Sequence, residues 1–125
     1  MAMATVTAED VAFLGNTFME GIGFAIVLFG LSVSPLTNAV SKSLLPTRLF
    51  GAAAGAIALL SYLAWASTST EAKTMAAIVC TFYHIQATLI ALNESTAATR
   101  PAVIVHAALA SAFVYAFKDA WFAQA

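Results

Sequence analysis

The chain has 125 residues, of which 62% are hydrophobic and 9% charged, and its mean hydropathy is +0.90. A soluble domain carries about 25% charged residues, so this composition excludes a water-soluble globule and points to lipid as the solvent. The net charge of −1 offers no basic face for nucleic acid, and Cys80, the only cysteine, excludes an internal disulfide and a thiolate metal site.

Four apolar runs predict an all-α bundle of four transmembrane helices, over residues 8–34, 47–66, 71–92 and 100–121. A spanning helix uses about 20 residues, so four of them with their connections take up the chain as one integral membrane domain. The opening MAMATVTAED lacks the basic n-region of a secretory signal and the arginines of a transit peptide. Targeting is therefore expected to reside in the first spanning helix.

The first helix is expected to open at Thr7. Thr7-Ala8-Glu9-Asp10 has the form of a capping box, a hydroxyl for the orphan amides with an acid three residues on. Pro35 marks the expected end of the run. Between Pro35 and Pro46, Leu36, Val40 and Leu44 recur at helical spacing among polar residues. This stretch reads either as a short amphipathic helix in the membrane interface or as a plain loop.

The second helix contains Gly51-Ala52-Ala53-Ala54-Gly55. Two glycines one turn apart let another backbone come close. The partner is either a helix of this chain or another subunit, including a second copy, docked through Gly51 and Gly55. Tyr62 and Trp65 lie at the far end, where amphipathic rings prefer the headgroup level. Ser67 to Thr70 forms a polar turn, and the third helix confines Glu71 and Lys73 to its first turn. Asn93 to Thr99 forms the next turn, and Pro101 suits the first turn of the fourth helix.

Four crossings put both termini on one side, with Lys73 and Lys118, and leave Lys42, Arg48 and Arg100 on the other. That small excess leans toward external termini. The sequon Asn93-Glu94-Ser95 lies on the more basic side and does not orient the chain.

Ionisable residues inside apolar runs are expensive and are functional candidates by default. Here they are Glu20, His84 and His106, with Asn16 and Gln86 as polar companions. Asn16, Glu20 and Gly23 share one narrow face of the first helix. Ala77, Thr81, His84, Thr88 and Ala91 form a small, hydroxylic face of the third, opposite Met75, Phe82, Ile85, Leu89 and Leu92. Gln86 lies about 200° around from His84 and does not share its face. His106 aligns with Ala110, Phe113 and Phe117. His84 lies about 12 Å and His106 about 9 Å from the same interface at 1.5 Å per residue. The two imidazoles can therefore meet on adjacent antiparallel helices, within reach of Glu20.

Such a cluster supports several readings. Glu20, His84 and His106 can act as catalytic acid–base groups on a lipophilic substrate, in an isomerisation or cyclisation, because an imidazole titrates near neutral pH. His84 and His106 can instead bind a cofactor, a haem or chlorophyll-type pigment. A third reading is a metal on the two histidines and the carboxylate, but no close-spaced ligand motif supports it and no metal site is assigned. The structural alternative is that these residues fix helix packing by interhelical hydrogen bonds. Nucleophile motifs, phosphate loops and metallohydrolase signatures are absent from the sequence, and the chain is small for a transporter built from repeats.

Asn16 to Glu20, Ser34-Pro35, Arg48-Leu49-Phe50-Gly51, Tyr83-His84, and Pro101 with His106 together resemble the small DoxX-like four-helix membrane proteins over most of the chain. The resemblance implies the four-helix fold and the company of oxidoreductase systems, and it carries over no catalytic residue set. The expected function is an accessory or scaffolding subunit of a larger membrane assembly. The rivals are a compact membrane enzyme using Glu20, His84 and His106, and a haem or pigment holder.

Overall fold

The computed structural model describes residues 5–29, 44–94, 97 and 99–122. Four helices account for nearly all of them: α1 (Ala8–Phe29), α2 (Leu44–Ala66), α3 (Thr70–Glu94) and α4 (Arg100–Phe122). The described residues include no strand, and each helix is long and apolar enough to cross a membrane. The all-α four-helix bundle expected from the apolar runs is the fold.

Neighbours in the bundle follow chain order. α1 packs along α2, α3 along α4, and the ring closes through α1 with α4 and α2 with α3. Side-chain contacts fix the directions. Trp65, near the end of α2, donates from Nε1 to Asp10 Oδ1 at 3.1 Å, and Lys73, near the start of α3, pairs with Glu9 at 3.7 Å. Phe117, near the end of α4, meets Phe13 with ring centroids 5.5 Å apart. The start of α1, the end of α2, the start of α3 and the end of α4 therefore share one end of an up-down-up-down bundle.

The capping box at the start of α1 is complete. Asp10 N donates to Thr7 Oγ1 at 3.2 Å while Thr7 N and Oγ1 donate back to Asp10 Oδ2 at 3.0 and 2.8 Å. Thr7→Ala removes the hydroxyl half, and the loss expected is about 1 kcal/mol. Unfolding by denaturing detergent, followed by helicity, reads it; an unchanged midpoint would show that the cap contributes nothing.

α2 begins at Leu44, three residues earlier than expected from sequence, so Leu44, Leu45 and Pro46 form its opening turn rather than part of an interfacial segment. Proline fits there because a first-turn amide has no intrahelical partner. The rest of the expected interfacial stretch lies outside the described residues.

The buried face of α2 is built of small residues: Gly51, Ala54, Ala58, Ser61 and Ala64. The glycines face α1 of the same chain. A Cβ on Gly51 would lie 2.5 Å from Val27 Cγ1 and 2.7 Å from Val27 Cβ, and one on Gly55 would lie 2.8 Å from Phe24 Cδ2. Gly51 and Gly55 thus meet a helix of this chain. Val27 is β-branched and stiff, whereas the Phe24 ring is partly exposed and can swing. Gly51→Ala is therefore expected to cost about 1–3 kcal/mol by overpacking, and Gly55→Ala less. Equal losses in detergent unfolding would contradict this reading of the two contacts.

α3 is capped by Ser69, whose Oγ accepts from Ala72 N at 3.2 Å. Its two faces divide as the spacing predicts. Ala77, Thr81, His84 and Ala91 are buried, and Met75, Phe82, Ile85, Leu89 and Leu92 are exposed. Lipid is as apolar as the interior, so no transfer energy draws bulky residues inward and close packing of small ones decides the interface. The exception is an aromatic core. Phe13 sits fully buried and edge-on to Phe113 and Phe117, with centroids 5.3 and 5.5 Å away.

Candidate functional site

Three helices deliver the ionisable residues to one point beyond the aromatic core. Glu20 lies just past the middle of α1, one turn from Asn16 on the same face. His84 lies in the second half of α3. His106 lies six residues after Arg100, about 9 Å along α4 at 1.5 Å per residue. His84 Nδ1 and His106 Nδ1 are 3.0 Å apart. Glu20 Oε1 is 3.8 Å from His84 Nδ1 and 3.6 Å from His106 Nδ1. All three residues are buried. The meeting expected from depth and face alone is therefore present.

The surrounding hydrogen bonds assign donor and acceptor roles. Asn16 Nδ2 donates to Ser61 Oγ at 2.7 Å, which turns Asn16 Oδ1 toward His84 Nε2, also at 2.7 Å. A carbonyl oxygen only accepts, so His84 Nε2 carries the hydrogen, and in its neutral form the ring presents a lone pair at Nδ1. His106 Nδ1 then donates to that lone pair. On the other side, Tyr83 Oη donates to Glu20 Oε2 at 3.2 Å and leaves Oε1 facing the imidazoles. Three atoms thus face a common centre, and two of their residues are held from behind.

The rings are packed as well as bonded. His84 lies nearly parallel to Phe113, 14° between planes with centroids 6.4 Å apart. Tyr83 stands edge-on to both imidazoles, with centroids at 5.0 and 6.0 Å. A second layer reaches α2: Ser61 Oγ is 3.4 Å from Cys80 Sγ, and Asn16 Nδ2 is 3.7 Å from the same sulfur. Every helix of the bundle therefore contributes to one connected polar network.

Glu20, His84, His106 and Asn16 are legible in the sequence as an inward set. Gln86 is exposed on the far side of α3, as its position around the helix implies. Sequence reasoning leaves Ser61, Cys80 and Tyr83 out of the site. Cys80 carries a usable signal, since it precedes His84 by one helical turn. Ser61 continues the small-residue face of Ala54 and Ala58. Tyr83 lies about 100° around from His84, and only the length of its side chain brings its hydroxyl to Glu20.

A haem or chlorin held between the two histidines does not fit this arrangement. Their Nδ1 atoms meet directly, His84 Nε2 is held by Asn16, and the flanking space is filled by Phe113 and Tyr83. A groove open to the outside, about 490 Å³ in volume, runs between α3 and α4 and is lined by Ile85, Ala110, Ser111, Val114, Tyr115 and Lys118. Of its lining residues only Ala110 shares the His106 face; Ser111, Val114, Tyr115 and Lys118 lie on the exposed side of α4. No protein-family model, curated protein or solved structure matches the chain.

Proposed function

We propose that the protein is a compact membrane enzyme whose Glu20, His84 and His106 move a proton on or off a lipid-soluble substrate. One observation carries this reading: the three groups meet, buried, inside a bundle of spanning helices. Placing an acidic side chain at the centre of such a helix costs about 2.5–3.5 kcal/mol. An interhelical hydrogen bond in a membrane returns about 0.6 kcal/mol on average. Among the described residues the bond from Tyr83 does not offset the insertion of Glu20, so packing is a poor reason to keep a carboxyl there.

The geometry suits proton transfer. The Nδ1 pair shares one hydrogen over 3.0 Å, and Glu20 stands within 4 Å of both rings. Acid–base catalysis needs donors and acceptors already aligned, with rates raised about 10²–10⁴-fold by a positioned group. The accessory-subunit reading rests on small size, little extramembrane bulk, the Gly51–Gly55 packing motif and the lack of a catalytic motif, and nothing in the site calls for it.

The test works with the substrate still unidentified. Purified protein is incubated with a lipid extract in heavy water, and deuterium entering the lipids is followed by mass spectrometry. Protein-dependent labelling that Glu20→Gln abolishes is the expected result. Absence of labelling, together with migration only in a large complex and wild-type behaviour of Glu20→Gln, His84→Ala and His106→Ala, would instead make the chain a subunit.

A further inference from the structure

The Nδ1 atoms of His84 and His106 and the Oε1 atom of Glu20 form a triangle with edges of 3.0, 3.6 and 3.8 Å. Zinc binds imidazole nitrogen at about 2.0–2.1 Å and carboxylate oxygen at about 2.0–2.2 Å, so a tetrahedral ion separates its ligand atoms by about 3.3–3.4 Å. The three edges bracket that value, and sub-ångström adjustments of side chains convert one into the other. We propose that this triangle is a binding site for a divalent transition metal of the zinc type, with His84 Nδ1, His106 Nδ1 and Glu20 Oε1 as ligands.

The residues behind the triangle support the same conclusion. A metal-bound histidine normally donates its other ring N–H to a carbonyl or carboxylate, which fixes its tautomer and orientation. His84 already does so, to Asn16 Oδ1. Ligating carboxylates are likewise hydrogen-bonded from behind, as Tyr83 holds Glu20 Oε2. The donor set of two imidazoles and one carboxylate suits zinc and its neighbours and is poorly suited to calcium or magnesium, which prefer all-oxygen shells. Three protein ligands leave a fourth position for water or a substrate atom.

Occupancy requires a defined change of protonation. The hydrogen on His106 Nδ1 moves to Nε2, and Glu20 enters as carboxylate, any proton on it being released to the medium. Nothing is oxidised or reduced. The metal takes the place of the hydrogen shared by the two rings, so a loaded site cannot pass that hydrogen between them. The proposed proton transfer and metal occupancy are thus competing states of one centre. Metal binding stands independently of that reading because it is measured without turnover.

The experiment uses the full chain in detergent, stripped of metal and titrated with zinc and, as a spectroscopic probe, cobalt(II). One equivalent bound per chain is expected, with the intense visible absorption of four-coordinate cobalt. X-ray absorption on the zinc-loaded wild type should show two imidazole ligands, a readout that needs no variant to fold. His84→Ala and His106→Ala should each lower affinity at least 100-fold, and Tyr83→Phe by about 10-fold through the lost support of Glu20. Gln86→Ala, on the opposite face, should leave affinity unchanged. A wild type that binds no stoichiometric metal, or binds it without imidazole ligands, overturns the proposal whatever the labelling experiment shows.

Discussion

Replacing Asn16 with leucine should destabilise the bundle more than any other single polar change. Its amide sits at the crossing of α1, α2 and α3, with Ser61 on one side and His84 on the other. Leucine is of similar size but neither accepts nor donates. The His84 Nε2–H is then stranded in a buried, apolar position, at about 1–3 kcal/mol for an unsatisfied donor. The methyl groups also press on Ser61 Oγ and Cys80 Sγ, and misfit of that kind adds about 1–3 kcal/mol. A drop of about 2–6 kcal/mol in detergent-induced unfolding is expected from these two contributions together. Asn16→Asp separates them, because its carboxylate still accepts from His84 while losing the donor to Ser61. If both variants unfold like the wild type, Asn16 does not hold the imidazole.

The second large effect should come from Phe13→Ala. Phe13 is fully buried and touches two other rings edge-on. In water, Phe→Ala in a core costs about 3–5 kcal/mol, part of it transfer energy and part the cavity left behind. Within lipid the transfer part falls away, because the unfolded reference is just as apolar. The cavity part remains, together with the aromatic contacts, worth about 0.5–1.5 kcal/mol per pair. A loss of about 2–4 kcal/mol is therefore expected, less than in a soluble protein of the same geometry. Phe18 is 68% exposed on the outer face of α1, and Phe18→Ala should change stability little. Similar losses at both positions would mean that this face of α1 is not directed as described.

These contrasts show what kind of information the sequence carries. The four spans are legible because each is a long apolar run, and length alone separates a spanning helix from a core segment. The inward faces are legible because helical periodicity places Asn16 over Glu20, Thr81 over His84, and His106 over Ala110. Similar depth on adjacent antiparallel helices then suffices to bring His84 and His106 together.

What the sequence does not supply is the rotation and offset of one helix against another. Those depend on which small residues meet, and Gly51 and Gly55 read the same whether facing α1 or another molecule. The link from Asn16 to Ser61 and Cys80 joins positions 45 and 64 residues apart, and no local pattern marks it. Assigning the stretch up to Pro46 to the connection sets the start of α2 three residues late, although proline is at home in a first turn. The convergence of Glu20, His84 and His106 is legible, but the proposed metal role is not: the three come one from each of α1, α3 and α4, with no fixed ligand spacing to recognise.

The most direct measurement is a through-space contact between the imidazole ring nitrogens of His84 and His106, read by solid-state magnetic resonance on ring-labelled protein in lipid bilayers without added metal. The expected result is a strong contact, as two Nδ1 atoms 3.0 Å apart require, with the His84 hydrogen on Nε2. Two histidines with no mutual contact, each in its own lipid or aqueous surroundings, would contradict the converged centre.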